Sequence, residues 1–400
     1  METIAVIGGG ASGMTAAITA AEHHAVVLLE RQNRVGRKLL STGNGRCNLT
    51  HLGADETHYH GAPAAFVRPA LTAFGPEAAR DWFRSLGLLT VAEPDGKVYP
   101  YSDQAGSVLD VLRYALRRET VELRTASPAT GLSRRGNGFR VETEAGPLDA
   151  DRVIVACGGA AGGKLGGVTD GYALLEAMGH RRTKLYPSLV QLKTGTAYPR
   201  ALKGVKATAA LTLYKNDTVL AQNRGEVLFT EYGVSGPAVF DLSRRAVTAG
   251  AGAVLSLDLL PDLPDGALWD LLTARRQRSP DLPGEELLAG LLQSRLGRMV
   301  YKYAGGAAGV PMAGLPDTLL RAVAAACRRF ELPVTGDLGL MNAQVTAGGI
   351  VTDDFDPETL HSRLCPGLYA CGEVLDVDGD CGGYNLQWAW ASGRLAGRLL

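Results

Sequence analysis

The stretch that decides the fold is Val6-Ile7-Gly8-Gly9-Gly10-Ala11-Ser12-Gly13. An apolar run over residues 4–7 leads into Gly8-x-Gly10-x-x-Gly13, and a helical pattern over residues 14–21 follows at once. A second apolar run, residues 26–29, ends on Glu30. Strand, glycine turn, helix, strand and acid follow one another in the order of a dinucleotide-binding βαβ unit.

Each residue of this fingerprint has a physical task. Gly8 permits the tight turn, Gly10 lets the backbone approach a pyrophosphate, and Gly13 lets the helix pack on the strand. The N-terminus of the helix offers N–H groups and a positive dipole end, while Glu30 is placed to bind a ribose diol. The alternative is a glycine-rich turn without a ligand, and the spacing of the acid argues against it.

Composition limits the class of protein. The 400 residues suggest two or three domains, and 41 basic residues balance 41 acidic ones, so no global field attracts nucleic acid. No apolar run approaches the ~20 residues of a membrane span. The six cysteines are scattered, without a Cys-x-x-Cys pair, which favours a reducing cytoplasm. We therefore expect a cytoplasmic α/β protein.

A basic, glycine-rich segment follows the fingerprint. Residues 31–50 read RQNRVGRKLLSTGNGRCNLT and show no clear period. Long ordered loops of this kind are usually functional. Arg37, Lys38 and Arg46 stand among small residues, which predicts a loop that wraps an anion; a solvated basic loop is the alternative.

Two groups of possible metal ligands are not interpreted as metal sites. His58 and His60 have no further ligand spaced to join them. The aspartates at positions 376, 378 and 380 are reminiscent of a calcium loop, but Cys381 and Gln387 occupy the places of its glycine and glutamate. We expect no metal.

The predicted secondary structure changes in the middle of the chain. Residues 189–259 and 332–345 carry β-rich runs, whereas residues 260–331 are mainly helical, with one helix predicted over residues 284–296. We predict a discontinuous dinucleotide-binding domain over residues 1–188 and 346–400. Its insertions are a β subdomain, 189–259 and 332–345, and a helical subdomain, 260–331.

The C-terminal segment again shows the pattern of strand, glycine turn and helix. Residues 367–373 form a short strand ending on Gly372-Glu373, and a glycine-rich turn then opens a helix over residues 387–399. Contacts from both ends of the chain suit FAD better than NAD, because the two halves of FAD need two sets of contacts. Residues 383–386 are placed to direct N–H groups at the flavin N1/O2 edge. No second fingerprint is present, so NAD(P)H would bind transiently.

Four long motifs resemble the bacterial BaiN/RdsA-type NAD(P)/FAD-dependent oxidoreductase family, which also includes aminoacetone oxidase-like flavoproteins. They are GRKLLSTGNGRCNLT (36–50), GEVLFTEYGVSGPAVFDLSR (225–244), AQVTAGGI (343–350) and GLYACGEVLDVDGDCGGYNLQWAW (367–390). The resemblance spans the chain. It implies a glutathione-reductase-like FAD-binding Rossmann domain that carries an inserted β-barrel-like subdomain and a small helical subdomain.

The resemblance also implies cofactor contacts. It places FAD on Gly8, Gly10, Gly13, Glu30, Arg37, Lys38, Ser41, Gly43, Arg46, Glu373, Gly383, Asn385 and Leu386. Neighbouring positions complete the predicted site: Ala11, Ser12, Arg31, Asn44, Gly45, Ala156, Gly158, Gly372 and Tyr384. The chain departs from its relatives over residues 159–167, which are nearly free of side chains, so the substrate pocket is expected to differ there.

Three reactions remain open. The leading hypothesis is a reductase in which NAD(P)H reduces FAD and hydride passes to a carbonyl-conjugated C=C, with a general acid protonating the neighbouring carbon. Cys47 is the first candidate for that acid, although a buried packing cysteine is an equal alternative. Tyr232 and Tyr384 are weaker catalytic candidates. The alternatives are an O₂-using amine or ketone oxidase and a non-catalytic flavin-binding protein.

The substrate is predicted to be a small molecule or an RNA nucleobase. Neutral net charge argues against strong RNA binding. A local basic face remains possible from the arginines at positions 275, 276, 278, 328 and 329, although solvated helix faces are the commoner explanation. No membrane partner is expected, and the oligomeric state stays open.

Overall fold

The structure is a computed structural model that describes residues 1–264 and 266–400. The chain divides into two compact units. The first unit contains Met1–Pro187 and Leu340–Leu400, and the second contains Ser188–Gly339. Each unit has its own apolar core.

The strands and helices follow one another along the chain in three groups. The first part of the chain contains β1 Thr3–Ile7, α1 Ala11–Ala20, β2 Ala25–Leu29, β3 Thr50–His51, β4 Tyr59–Gly61, α2 Ala64–Ala73, α3 Pro76–Ser85, β5 Thr90–Ala92, β6 Lys97–Pro100, α4 Ala105–Ala115, β7 Val121–Arg124, β8 Ala129–Arg135, β9 Gly138–Thr143, β10 Leu148–Ala150, β11 Arg152–Val155, α5 Asp170–Ala177 and β12 Tyr186–Ser188. The middle contains β13 Leu192–Thr194, β14 Lys206–Lys215, β15 Thr218–Phe229, β16 Gly233–Ser235, α6 Pro237–Ala249, β17 Val254–Asp258, α7 Ala267–Arg278, α8 Ser294–Tyr303, α9 Asp317–Arg328 and β18 Phe330–Asp337. The last part contains β19 Val345–Ala347, β20 Leu368–Ala370, β21 Val377–Gly379 and α10 Tyr384–Gly397.

A parallel sheet organises the first unit. Its strand order is β20-β11-β1-β2-β7, and every neighbouring pair is parallel. The central strand β1 is buried from Ile4 to Ile7, as expected for a strand covered on both faces. Ligands bind at the carboxyl ends of such strands, and this edge carries the glycine turn after β1, Glu30 after β2, and Gly372 shortly after β20.

Helices α1 and α10 pack together through small residues. A methyl group on Gly393 would lie 2.5 Å from the carbonyl oxygen of Ser12, and one on Gly397 would lie 2.7 Å from that of Ala16. Glycine therefore lets the two backbones approach closely. Because α10 ends the sequence and α1 follows its first strand, this contact joins the two ends of the chain.

Smaller antiparallel sheets flank the parallel sheet. The order β10-β9-β8 forms one of them, β3-β6-β5 forms another, and β21 pairs with β4. Through the last pair, the segment before α10 is fixed to residues 59–61.

The second unit contains a closed six-stranded barrel. Its order is β13-β16-β15-β14-β17-β18, with antiparallel neighbours. Along β14, Ala209, Leu211 and Leu213 are buried at every second position. This alternation directs one face into the barrel core. Helices α7, α8 and α9 form the helical part of this unit.

The helix predicted over residues 284–296 is wrong. Only a single 3₁₀ turn forms at Gly284–Glu286, and α8 begins at Ser294. Gln293 starts α8, because its side chain accepts a hydrogen bond from the N–H of Leu296. Leu287 and Leu288 are fully buried within turns, so their apolar pattern reflects core packing and not a helical face.

In the part of the chain that the structure describes, no helix combines the length and apolar character needed to cross a membrane.

Replacing Gly393 tests the contact between α1 and α10. We expect Gly393→Ala to lower the free energy of unfolding by about 1–3 kcal/mol, because the methyl group meets the backbone of α1. Gly106→Ala is the matched control: Gly106 also lies in a helix, α4, but nothing lies within 4 Å of an added methyl group. It should leave stability unchanged or raise it by up to ~1 kcal/mol. Denaturant unfolding of both variants measures the difference; equal effects would contradict the packing argument.

Candidate cofactor site

Packing against neighbouring backbone atoms requires two of the glycines in the turn after β1. The N–H of Gly8 donates to the carbonyl oxygen of Leu29 at 2.8 Å. Gly8 has a φ of +111°, and a methyl group there would lie 2.4 Å from the carbonyl oxygen of Ala156. One on Gly13 would lie 1.8 Å from the carbonyl oxygen of Gly8. Close packing of β1, α1 and the end of β11 therefore requires both glycines.

Gly10 differs, because no atom of the described residues requires a glycine at this position. Nothing lies within 4 Å of the position that a methyl group on Gly10 would take. Gly10 also precedes α1, whose first turn has neither a side-chain cap nor an acidic residue. Open space beside uncapped N–H groups suits a bound phosphate, so the residues present fit the pyrophosphate of a dinucleotide.

Glu30 follows β2 and is 9% exposed. Its Oε2 accepts a hydrogen bond from the N–H of Gly9 at 2.8 Å, and its Oε1 accepts one from the N–H of Gln32 at 2.8 Å. These bonds fix the carboxylate beside the glycine turn. Each oxygen keeps a further lone pair, so the group can still accept hydrogen bonds from a ribose diol.

The basic loop is tied to the carboxyl edge of the sheet. Lys38 Nζ donates to Glu373 Oε2 at 2.8 Å, and Glu373 Oε1 accepts from the N–H of Thr346 at 2.8 Å. Arg37 donates to the side chain of Gln32 at 3.0 Å, and Arg31 lies 3.4 Å from Asp170. The predicted contacts Lys38 and Glu373 thus form one ion pair.

Arg46 is held by groups that are distant in sequence. Its guanidinium lies 3.8 Å from the centre of the Tyr99 ring and forms ion pairs with Glu93, at 2.8 Å, and with Asp103. Hydrogen bonds to Glu93 and Asp103 raise the pKa of Arg46 further above its ordinary value. Because two carboxylates balance its charge, Arg46 fixes the loop in place.

The turn over residues 42–47 is tightly wound. Gly43, Asn44, Gly45 and Cys47 all have positive φ. The N–H of Cys47 donates to the carbonyl oxygen of Thr42 at 2.9 Å and closes the turn. Ser41 precedes it, and its hydroxyl donates to the carbonyl oxygen of Lys38 at 2.8 Å.

The segment after this turn lies along α10. Thr50 Oγ1 donates to Gln387 Oε1 at 2.7 Å, and Trp390 Nε1 donates to the carbonyl oxygen of Leu49 at 2.9 Å. Gly383, at φ +107°, precedes the helix, and a methyl group there would lie 2.6 Å from the carbonyl oxygen of Thr50. The glycine-rich loop and the N-terminus of α10 are therefore one structural feature.

Asn385 and Leu386 occupy the first turn of α10. The Asn385 amide is used within the chain: Oδ1 accepts from the N–H of Gly379 at 2.8 Å, and Nδ2 donates to the carbonyl oxygens of Gly379 and Asp380. Its side chain fixes the preceding loop, which leaves backbone N–H groups as its means of contacting a ligand. Leu386 is half-buried.

Tyr384 is held between two histidines. Its ring stacks on His51 and His58, with centroids 4.8 Å and 4.3 Å away, and the residue is 6% exposed. His58 and His60 both contact the carboxylate of Asp380, at 3.0 Å and 2.8 Å. Burial acts to raise the pKa of Asp380, but the hydrogen bonds with His60 and His58 outweigh it and lower that pKa. This arrangement fixes the ring orientation of Tyr384.

The remaining predicted positions lie around the carboxyl edge of the sheet. Gly372 has a φ of +76°, and a methyl group there would lie 2.4 Å from Ser12 Oγ. Ala156 contacts Gly8 as described above, and Gly158 has open space around it. Ala11 begins α1.

The other two catalytic candidates lie in different units. Cys47 lies in the first unit with 0% exposure, and burial raises the pKa of its thiol to about 12. Tyr232 lies in the second unit, and its carbonyl oxygen accepts from the N–H of Thr194 at 3.0 Å. Their catalytic roles stay predictions.

Sequence reasoning did not single out three polar residues, Gln387 within α10 and Asn48 and Thr50 beside it. All three lie within the quoted motifs, but burial decides their importance, and Thr50 and Gln387 also bond to partners more than 300 positions away. The one available signal was the presence of amides and a hydroxyl in otherwise glycine-rich or apolar stretches.

Comparisons with known proteins identify the family of this chain. Residues 2–399 match the family described as HI0933-like protein Rossmann domain. The chain is 39% identical over 404 residues to the 3-dehydro-bile acid delta(4,6)-reductase of Clostridium scindens, covering 100% of this chain and 98% of that protein. It is 29% identical over 394 residues to the ribosomal RNA dihydrouridine synthase of Escherichia coli, covering 97% of this chain and 95% of that protein.

The fold and the site define an FAD-binding Rossmann-type oxidoreductase with an inserted closed barrel. The chain belongs to the HI0933-like family. The predicted fold class, the family resemblance, the enzymatic activity and the use of FAD with NAD(P)H are confirmed. Since the relatives are enzymes, the non-catalytic alternative is not supported. The individual contact residues and the domain boundaries stay predictions.

Replacing Gly10 tests the assignment of the pyrophosphate. We expect Gly10→Ala to leave the melting temperature of the apoprotein unchanged, because the methyl group meets no atom of the chain. It should weaken FAD binding about tenfold or more, since losing one hydrogen bond to a charged group costs about 1.5–3 kcal/mol. Flavin fluorescence titration measures the affinity.

Gly13→Ala is the contrasting variant for this test. Its methyl group would meet the carbonyl oxygen of Gly8, so the apoprotein itself should lose stability. Normal FAD affinity in Gly10→Ala would place the pyrophosphate elsewhere.

Proposed function

We propose that the protein uses NAD(P)H and FAD to reduce a C=C bond conjugated to a carbonyl group in a small, largely apolar molecule. A 3-keto steroid that carries an enone is an example of the substrate class that we propose. The reaction adds a hydride to one carbon and a proton to the other, and it oxidises one NAD(P)H. We place this activity in the cytoplasm, which suits six cysteines that are all free thiols in the structure.

One observation carries the proposal. The two most informative relatives act on different molecules, yet their names describe the same change of bond: a double bond conjugated to a carbonyl group becomes a single bond. This holds for a 3-dehydro-bile acid delta(4,6)-reductase and for a synthase of dihydrouridine. The reaction type is therefore better supported than either substrate.

FAD supplies hydride transfer when it is bound. The residues of the first unit would hold it from two sides. The uncapped N-terminus of α1 and Gly10 would bind the pyrophosphate, and Glu30 would bind the ribose. The N-terminus of α10, which also lacks a side-chain cap and an acidic residue in its first turn, would place positive partial charge near the flavin ring. That charge favours a negatively charged reduced state.

The second unit favours a small molecule over RNA. Arg275 donates to the carbonyl oxygens of Leu287 and Ala289, and Arg276 pairs with Asp317 at 2.7 Å. The other three arginines of the predicted basic face differ among themselves: Arg328 contacts Asp258, Arg329 contacts Glu331, and Arg278 is exposed. Carboxylates compensate three of the five charges, and backbone carbonyl oxygens hold the Arg275 guanidinium, so these arginines offer few free contacts to phosphates.

Three residues are candidates for the proton donor. The Cys47 thiol keeps its proton at neutral pH, because burial raises its pKa to about 12. The same burial, at 0% exposure, hides the sulfur from any ligand and supports the packing role. Tyr384 is oriented by two stacked histidines, and Tyr232 belongs to the second unit. We rank Tyr384 and Tyr232 above Cys47.

Anaerobic reduction tests the proposed reaction. The purified holoprotein should be yellow and should bleach with NADH or NADPH. A 3-keto steroid with a conjugated double bond should then restore the colour, with one C=C bond reduced per NAD(P)H consumed. We expect reoxidation at least about tenfold faster than by a uridine-containing fragment of ribosomal RNA, a ratio that corresponds to about 1.4 kcal/mol in barrier height.

Two other results would redirect the assignment. Peroxide formed in equal amount to the NAD(P)H or amine consumed would identify an oxidase. Reoxidation by ribosomal RNA alone, or loss of dihydrouridine from ribosomal RNA in a deletion strain, would identify an RNA substrate. Saturated steroid serves as the control acceptor, since it lacks the double bond.

A substitution at Cys47 tests the proton donor. We expect Cys47→Ala to keep bound FAD and to reoxidise with substrate within about threefold of the wild-type rate, well short of the 10²–10⁴-fold contribution of a general acid. Stopped-flow measurement of flavin reoxidation gives the rate. A loss of more than about 100-fold with FAD still bound would restore Cys47 as the acid.

A further inference from the structure

Asn48 is a buried polar residue without an assigned task. It lies between the tight turn that ends at Cys47 and strand β3, and it is 9% exposed. Its Oδ1 is buried and has no hydrogen-bond partner, and no hydrogen bond of the carboxamide occurs within residues 1–264 and 266–400. Buried polar side chains are nearly always hydrogen-bonded, so this one requires an explanation.

The polar side chains around Asn48 differ in this respect. Thr50 bonds to Gln387, whose Nε2 donates to the carbonyl oxygen of Phe74 at 2.6 Å. Asn385 has partners for both ends of its amide. The polar side chains of Thr50, Gln387 and Asn385 therefore all have hydrogen-bond partners among the described residues, whereas the Asn48 carboxamide has none there.

The free carboxamide lies at the N-terminus of a long helix. Asn48 Oδ1 is 2.9 Å from the position that a methyl group on Gly383 would take, and Gly383 directly precedes the 14-residue helix α10. The first turn of α10 has no side-chain cap. Two independent features thus converge at one point: an unpartnered buried amide and an uncapped helix N-terminus.

We propose that Asn48 is a cofactor-binding residue whose carboxamide hydrogen-bonds the polar edge of the flavin pyrimidine ring. This edge presents a carbonyl, an N–H and a second carbonyl in succession. A carboxamide carries one acceptor and two donors, and either orientation of the amide finds a partner on such an edge. The proposal rests on the flavin ring lying at the N-terminus of α10, as in the proposed function.

The position of Asn48 also bears on the redox properties of the flavin. An amide N–H that donates to a ring carbonyl stabilises the negative charge gained on reduction, as the dipole of α10 does. Both groups would therefore favour the reduced state. Asn48 would set the potential as well as the affinity.

Binding measurements with Asn48→Ala test the proposal without any substrate. Because the side chain makes no hydrogen bond to any residue that the structure describes, the variant apoprotein should melt no lower than the wild type. Its affinity for FAD should fall roughly tenfold, the loss expected for one hydrogen bond. Its affinity for ADP, which shares only the adenosine and pyrophosphate half, should not change. Asn137→Ala, in the exposed turn between β8 and β9, is the matched control and should bind both ligands normally.

The outcomes separate this proposal from its alternatives. FAD affinity within about twofold of the wild type would overturn it, since one hydrogen bond is worth more. A parallel loss of ADP affinity would also overturn it, because the effect would then come from a distorted loop. These binding measurements do not involve turnover. A failed reductase assay would therefore not contradict the role of Asn48, and a failed binding test would not contradict the reductase activity.

Asn48→Asp provides a second test that preserves size and shape. It replaces the amide donor with a carboxylate oxygen at the same place. Relative to oxidised FAD, reduced FAD should then bind at least about tenfold less tightly than in the wild type, a shift of ~30 mV for a two-electron couple. A dye-equilibrated redox titration measures this shift. An unchanged potential would show that Asn48 does not touch the flavin ring.

Discussion

Helix α10 lies so close to helix α1 that only glycine fits at the points of contact. A methyl group on Gly393 would lie 2.5 Å from a backbone oxygen of α1, and Gly397 is similarly confined. This contact joins the two ends of the chain and brings two uncapped helix N-termini to the same unit. Both halves of the proposed cofactor site depend on it, because the glycine turn lies at the start of α1 and residues 48–50 lie along α10.

Much of the first unit could be predicted from the sequence because its signals are local. The order of residues from Val6 to Glu30 contains a complete βαβ unit, and the structure gives β1, α1 and β2 within a few residues of the predicted bounds. The short strand predicted before Gly372 is also present, and it joins the same parallel sheet. Apolar runs that end on glycine carry this information without knowledge of distant partners.

The parts that could not be predicted depend on distant partners or on burial. The sequence around Arg46 predicts an anion-binding residue. In the structure its guanidinium pairs with Glu93 and Asp103, which lie 47 and 57 positions away in the sequence. Cys47 looks reactive beside a basic neighbour, yet it is fully covered. The leucines at 287 and 288 suggest a helix, although they fill a core from turns. In each case tertiary packing decides the role, and neighbouring residues do not reveal it.

The order of the sheet has a consequence for synthesis of the protein on the ribosome. Strand β20 forms the edge of the parallel sheet, and α10 covers a face of α1, but both follow every other strand and helix of that sheet in the sequence. Four strands of the parallel sheet can assemble while the barrel segment is still being made. The small-residue face of α1, in contrast, stays uncovered until α10 has been synthesised. The emerging chain therefore keeps this surface of α1 exposed for as long as the barrel segment is being made, and exposed apolar surface of this kind promotes misassembly.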